Sequence, residues 1–175
     1  LNSIDGLSAA LNSSKSNSET QTLIMKLDSC NGTNQDKLKL LKPYLINDDD
    51  DIRRSSIQIA GSLWPKSRRS DFIRFLQDPN DAVIGDTILI LCDEDKCPDE
   101  HYKDVSAALN KLITDHDNNA NLTAIDCINK CRDERFLPIL SALAKTVEES
   151  IKNRIIDLLE EWSQTSAGAK RSEER

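Results

Sequence analysis

The sequence predicts an all-α protein, a superhelix of about five stacked antiparallel helical hairpins, and three observations support this prediction. The 175 residues include only five Gly and five Pro, which leaves few tight turns for a many-stranded β fold. Apolar residues recur at gaps of three, four, five and seven, which place them in one stripe along a helix. The same apolar positions return at intervals of 31 to 36 residues, a period typical of stacked helical repeats.

The clearest repeat lies in the second helix of each hairpin, which we call helix B. Its anchor is an apolar or small residue at the start of the helix: Ile52, Ile84, Ala120 and Ile151. Apolar or small residues follow each anchor at positions +5, +7 and +8, and those at +5 are Ile57, Leu89, Ile125 and Ile156. We expect these positions to form one continuous buried seam between successive helix pairs.

A second apolar set precedes each anchor and marks the first helix, helix A. Its pairs are Tyr44-Leu45, Phe75-Leu76, Leu112-Ile113 and Leu143-Ala144. The hairpins therefore cover approximately residues 35–63, 65–93, 98–131 and 133–162, after a degenerate first copy at 3–30. We predict a single domain over residues 1–163, followed by a polar, disordered tail at 164–175.

Four consecutive aspartates, at 48–51, lie in the turn before helix B of the second hairpin. Asp49 or Asp50 is placed to cap this helix by accepting its free N–H groups, and Asp81 and Asp117 occupy comparable positions in later hairpins. A calcium loop needs acids at alternating positions around a glycine turn, which four acids in a row do not provide. We therefore predict a helix-starting turn, and an additional role as a patch for a partner stays open.

Residues 40–63, with the sequence LLKPYLINDDDDIRRSSIQIAGSL, resemble a HEAT repeat. The resemblance rests on Pro43 within helix A, the aspartates of the turn, Ile52-Arg53 at the start of helix B and the IAGSL ending. The armadillo repeat, with three helices per unit, is the nearest alternative, and the short turns between A and B favour HEAT. The resemblance implies a solenoid fold rather than an activity, and helix B often lines the concave side of such solenoids.

Catalytic and metal sites find little support in the sequence. No HExxH, GxSxG, CxxC or P-loop spacing occurs, and no His-Glu pair supports the chemistry of the HEAT-like di-iron hydroxylases. Cys92, Cys97 and His101 approach a zinc spacing only loosely, and Cys92 and Cys127 fall in apolar positions of helix B. We predict a protein that is not an enzyme, with no cofactor and no metal. The odd, scattered set of five cysteines suggests a reducing compartment, cytoplasmic or nuclear.

The charge distribution indicates the class of partner. A net charge of −7 argues against nucleic acid or an anionic membrane as the main partner, and no apolar run approaches the length of a membrane span. Residues 53–74 carry six basic residues against one acid, whereas residues 77–117 carry eleven acids against three lysines. We expect a protein partner, and the acidic middle of the chain suits a basic one. The oligomeric state stays open.

We predict an adaptor that binds a partner protein through the solenoid surface. The candidate contacts are charged residues away from the apolar stripe of helix B, with an acidic run after one such helix: Arg53, Arg54, Asp86, Asp93, Glu94, Asp95, Asp126, Arg154 and Asp157. The alternative for each is a solvated charge that keeps a Leu-rich protein soluble. Two alternatives for the whole chain stay open: a small acidic immunity or inhibitor protein that neutralises a basic enzyme such as a nuclease toxin, and a fragment of a larger HEAT-repeat scaffold.

Overall fold

The structure is a computed structural model that describes residues 2–92, 96–114 and 118–173, with side chains described as far as Ser163. Within these ranges the chain forms nine α-helices and three 3₁₀ segments, and it contains no strand. No described helix has both the length and the apolar composition that crossing a membrane requires. The chain divides into two compact units, Leu1–Leu91 and Cys92–Arg175, which we call the N-terminal and C-terminal units. The prediction of a single domain stays a prediction.

The N-terminal unit contains three hairpins. Its elements are α1 (Ile4–Ser13), α2 (Asn17–Met25), α3 (Asn34–Leu41), a 3₁₀ segment (Tyr44–Ile46), α4 (Asp50–Leu63), a second 3₁₀ segment (Lys66–Gln77) and α5 (Asp81–Leu91). The hairpins pair α1 with α2, α3 with α4, and the second 3₁₀ segment with α5. The B helices α2, α4 and α5 pack side by side in that order, so α4 is covered on two sides.

The C-terminal unit contains two hairpins. Its elements are α6 (Asp99–Thr114), α7 (Asn118–Cys131), a 3₁₀ segment (Glu134–Phe136), α8 (Leu137–Leu143) and α9 (Glu149–Glu173). The hairpins pair α6 with α7 and α8 with α9, and the B helices α7 and α9 pack against each other. Helix α9 extends into the predicted tail at 164–175, and the predicted disorder of that tail stays a prediction.

Short polar side chains start the helices of the N-terminal unit. Ser3, Ser16 and Thr33 cap α1, α2 and α3, and each accepts the N–H of the third residue that follows, at 3.2 Å. Asp49 caps α4 by accepting the N–H of Ile52 at 3.0 Å. The prediction that the aspartate run forms a helix-starting turn is therefore confirmed.

The cap of α5 differs from the prediction. Asn80, rather than Asp81, accepts the N–H groups of Ala82 and Val83, at 2.9 and 3.2 Å. The prediction for Asp81 was wrong because this residue already belongs to the first turn of α5, where its own backbone is helical. The predicted cap at Asp117 lies outside the described residues.

The A segments are less regular than predicted. Helix α3 ends at Leu41, and Pro43 lies after its end instead of within a continuous helix A, because proline has no N–H for a helical hydrogen bond. In the third hairpin the whole A segment is 3₁₀. Three residues per turn place Phe72 and Phe75 on one face, where both are buried with ring centroids 6.0 Å apart.

In the B helices, the residue four positions after each anchor is buried more consistently than the residue five positions after it. All four residues at +4 are fully buried: Ser56, Ile88, Ala124 and Ile155. Of the predicted +5 residues, Ile57 and Ile125 are buried, but Leu89 is half-buried and Ile156 is 40% exposed. At 100° per residue, +4 returns to within about 40° of the anchor, whereas +5 lies about 140° away. The +5 prediction holds in α4 because a neighbouring B helix covers each side of it.

Candidate functional site

The predicted contact residues of the N-terminal unit form bonds between neighbouring hairpins. Arg53 donates from Nε and Nη2 to the carboxylate of Asp78, at 2.8 and 2.9 Å, and from Nη1 to the backbone carbonyls of Asn47 and Asp48, at 2.8 and 3.0 Å. The Arg53 and Asp78 side chains are only 11% and 6% exposed. The hydrogen bond to Asp78 raises the pKa of Arg53 in spite of burial. Arg53 therefore fastens the turn before α4 to the turn before α5, and we call these four residues the Arg53 clasp.

Arg54 lies beside the clasp but faces solvent. Its Nε donates to Asp86 at 2.7 Å, and Gln58 donates to the same carboxylate oxygen at 2.8 Å. The side chains of Arg54 and Asp86 are 46% and 16% exposed. Two predicted contact residues are thus each other's partners, on the exposed face that α4 and α5 share.

The aspartate run also joins adjacent B helices. Asn17, at the start of α2, donates to Asp49 at 2.6 Å, and Asn80 donates to Asp50 at 2.5 Å. Asp49, Asp50 and Asp51 each place one carboxylate oxygen within 4.8 Å of the other two. Within the described residues, these three carboxylates are the group of potential metal ligands that lie close enough to share an ion. Since Asp49 and Asp50 already accept hydrogen bonds from the protein, the geometry is that of a capped, cross-linked turn.

The C-terminal unit repeats this arrangement between α7 and α9. Arg154 donates to Asp126, and both side chains are about half exposed. Asn118 at the start of α7 donates to Glu148, just before α9, at 3.2 Å. The Asp157 carboxylate is exposed and makes no hydrogen bond or ion pair within the described residues. The predicted contacts Asp93, Glu94 and Asp95 lie outside the described residues.

Sequence reasoning missed a second clasp, centred on Asp133 in the C-terminal unit. The buried Asp133 carboxylate accepts the N–H of Cys97 at 3.1 Å and both the N–H and the side chain of Arg135, the nearest at 2.6 Å. Arg135 also donates to Asp99 and the Cys97 carbonyl, and it stacks on Tyr102, 4.3 Å from the ring centroid. The available signal was the Asp-Glu-Arg triplet before α8, which by itself resembles any exposed turn.

The titration of the Asp133 clasp follows from these contacts. Burial raises the pKa of Asp133, but hydrogen bonds from the Arg135 side chain and from the N–H groups of Arg135 and Cys97 outweigh it. The pKa of Asp133 therefore lies below its usual value. The hydrogen bond to Asp133 in turn raises the pKa of Arg135, so this pair is charged at neutral pH.

Three of the five cysteines meet at the start of the C-terminal unit. Hydrogen bonding with Cys131 and Cys97, together with burial, raises the pKa of Cys92, which is therefore a thiol at neutral pH. Among the described residues, these sulfurs are not part of a convergent set of three metal ligands. All five cysteines are buried, as predicted for Cys92 and Cys127. The prediction of no metal stays a prediction.

No protein family model matches the sequence, and no curated protein matches it. Among solved structures, the chain is similar to a designed armadillo repeat protein in complex with the peptide (KR)4. The sequences are 17% identical, the TM-score is 0.52, and the match covers 91% of this chain and 81% of the designed one. The similarity confirms the predicted fold as an armadillo/HEAT-like helical repeat.

Proposed function

We propose that this helical-repeat protein is a non-catalytic binding module that holds a segment of a partner protein on the exposed faces of its B helices. The observation that carries the proposal is the side-by-side packing of B helices within each unit, which sets exposed polar side chains in rows. One row contains the exposed Arg54 and Gln58 with the half-buried Asp86, and the other contains the exposed Asp126 and Arg154. The fold match adds support, since the designed repeat protein is in complex with a peptide.

A basic segment suits the carboxylates that the B helices and the turn before α4 leave without a partner. Within the described residues, the carboxylates of Asp48, Asp51 and Asp157 are exposed and make no hydrogen bond or ion pair. The whole chain carries a net charge of −7, which favours the approach of a basic partner. The peptide of the designed protein also consists of Lys and Arg. No observation favours an inhibitor of a basic enzyme over this more general role.

Binding of a labelled (KR)4 peptide, followed by fluorescence anisotropy, tests the proposal. The variant Asp48→Asn/Asp51→Asn should bind about 2- to 30-fold more weakly, the range for two exposed ion pairs of about 0.2–1 kcal/mol each. The matched control is Asp5→Asn/Asp104→Asn, which removes two exposed carboxylates from helices A. Equal weakening in both variants would show that only net charge matters, and no binding by the unaltered chain would refute a basic partner.

A further inference from the structure

A basic groove lies in the N-terminal unit and shares no residue with the row of Arg54, Gln58 and Asp86. It has a volume of about 1220 Å³ and is formed by α3, the end of α4 and the 3₁₀ segment Lys66–Gln77. Five of its described lining residues are basic and none is acidic, and the basic ones are Lys39, Lys42, Lys66, Arg68 and Arg74. This concentration of positive charge stands in a chain whose net charge is −7.

Most of this positive charge is not neutralised by the protein itself. Lys39, Lys42 and Arg74 are exposed, and none of them makes an ion pair within the described part of the chain. Arg68 pairs with Asp71 at 2.7 Å, but both side chains are largely exposed, so solvent weakens the pair. Like charges that line one concave surface raise the local potential and attract an anion.

Aromatic contacts hold two of the guanidinium groups in place. Arg68 lies over the Trp64 ring, 5.4 Å from its centroid, and Arg74 lies over Phe75 at 4.6 Å. Such contacts orient an arginine while its N–H groups stay able to donate.

We propose that this groove binds an acidic segment of a partner protein. Carboxylates of the segment would pair with Lys39, Lys42 and Arg74, and its apolar side chains would pack on the leucine and proline residues of the wall, Leu38, Leu45, Leu63 and Pro65. The groove shares no residue with the B-helix rows, so it adds a second partner chemistry to the proposed function and does not depend on the first.

The surroundings of Trp64 favour a peptide over a single-stranded nucleic acid. Nucleic-acid sites of this kind need an open aromatic face on which a base can stack. The Trp64 ring is already in contact with Arg68 and with Phe72, whose ring centroid is 5.1 Å away in an edge-to-face arrangement. A long polyanion would also meet repulsion from the net negative charge of the chain.

The test uses the full chain and a labelled octapeptide of alternating Glu and Leu, followed by fluorescence anisotropy. Lys39→Glu/Lys42→Glu should weaken binding by about tenfold or more, because like charges would then face the peptide. The matched control is Lys15→Glu/Lys26→Glu, which makes the same change of charge at exposed lysines of the same unit that do not line the groove. We expect the control to retain most of the affinity.

Several outcomes would overturn the proposal. One is that Lys39→Glu/Lys42→Glu binds the Glu-Leu peptide as tightly as the control variant does, and another is that the unaltered chain binds a Gln-Leu octapeptide as tightly as the Glu-Leu one. A third is that an oligothymidine binds more tightly than the peptide. The fourth is self-association of the chain that blocks the peptide and disappears in Lys39→Glu/Lys42→Glu. If the charge-reversed chain does not fold by circular dichroism, Lys39→Gln/Lys42→Gln replaces it. Binding of (KR)4 is measured separately, with the variant Asp48→Asn/Asp51→Asn. The two proposals can therefore fail independently of each other.

Discussion

Replacing Arg53 with methionine tests whether the Arg53 clasp holds the N-terminal unit together. Methionine retains much of the aliphatic stem but removes four hydrogen bonds, two to Asp78 and two to backbone carbonyls. The Asp78 carboxylate is 6% exposed and would keep the N–H of Asn80, at 2.9 Å, as its remaining described partner. The change therefore leaves a buried negative charge without a counter-ion.

The magnitude follows from this uncompensated charge. Removal of one member of a buried ion pair destabilises a protein by about 3–5 kcal/mol. Because the Arg53 side chain keeps some contact with solvent, at 11% exposure, we expect the lower end, about 3 kcal/mol. For a chain of this size that corresponds to a fall in melting temperature of about 6–12 °C.

Urea unfolding followed by far-UV circular dichroism measures the effect. The matched control is Arg54→Met, on the same helix, whose pair with Asp86 is exposed and worth less than about 1 kcal/mol. The double variant Arg53→Met/Asp78→Leu should recover much of the loss, since it removes the stranded charge. If Arg53→Met is no more destabilising than Arg54→Met, the reasoning about the clasp is wrong.

Three further predictions concern single positions. Asp49→Ala should lower the free energy of unfolding by about 1 kcal/mol because α4 loses its cap, whereas Asp51→Ala should lower it by less than half as much in the same denaturation assay. Gly61→Ala should destabilise by about 1–3 kcal/mol despite the helix propensity of alanine, because the new Cβ would lie 2.6 Å from Ile90 Cγ1 and Cδ1; adding Ile90→Ala should restore stability. Asp133 has a lowered pKa, so its contribution is complete above its unfolded pKa of about 3.9 and is lost as the pH falls through the lower folded value; Asp133→Asn should flatten the stability profile across that acid range.

The helical-repeat fold could be predicted because its signals are local and recur. The apolar stripe and the cap at Asp49 each depend on residues within one or two helical turns. The register does not follow from the apolar pattern alone, because two of the four +4 residues, Ser56 and Ala124, are polar or small and weaken that pattern. Ser56 is tolerated in the core because its hydroxyl donates to the Ile52 carbonyl at 2.7 Å. The buried Ser56 hydroxyl therefore has a hydrogen-bond acceptor inside the seam.

The pairing of Arg54 with Asp86 could have been found from the repeat. Arg54 and Asp86 both lie at +2 from their anchors, and their separation of 32 residues equals the interval between Ile52 and Ile84. Opposite charges at the same offset in adjacent B helices predict a bond between those helices. The basic groove could not be found in this way, because Lys39 and Lys42 lie outside the basic stretch at 53–74 and join it only through tertiary packing.

The ion pairs between neighbouring B helices affect how any ligand would compete for that surface. A carboxylate that takes Arg54 must first displace Asp86, and one that takes Arg154 must displace Asp126, so each new contact replaces an existing one. Binding through these arginines is an exchange reaction, with little net release of counter-ions and a shallow dependence on ionic strength. Such a surface binds non-specific polyelectrolytes weakly. It favours ligands whose charged groups are spaced so that they replace several of these ion pairs at the same time.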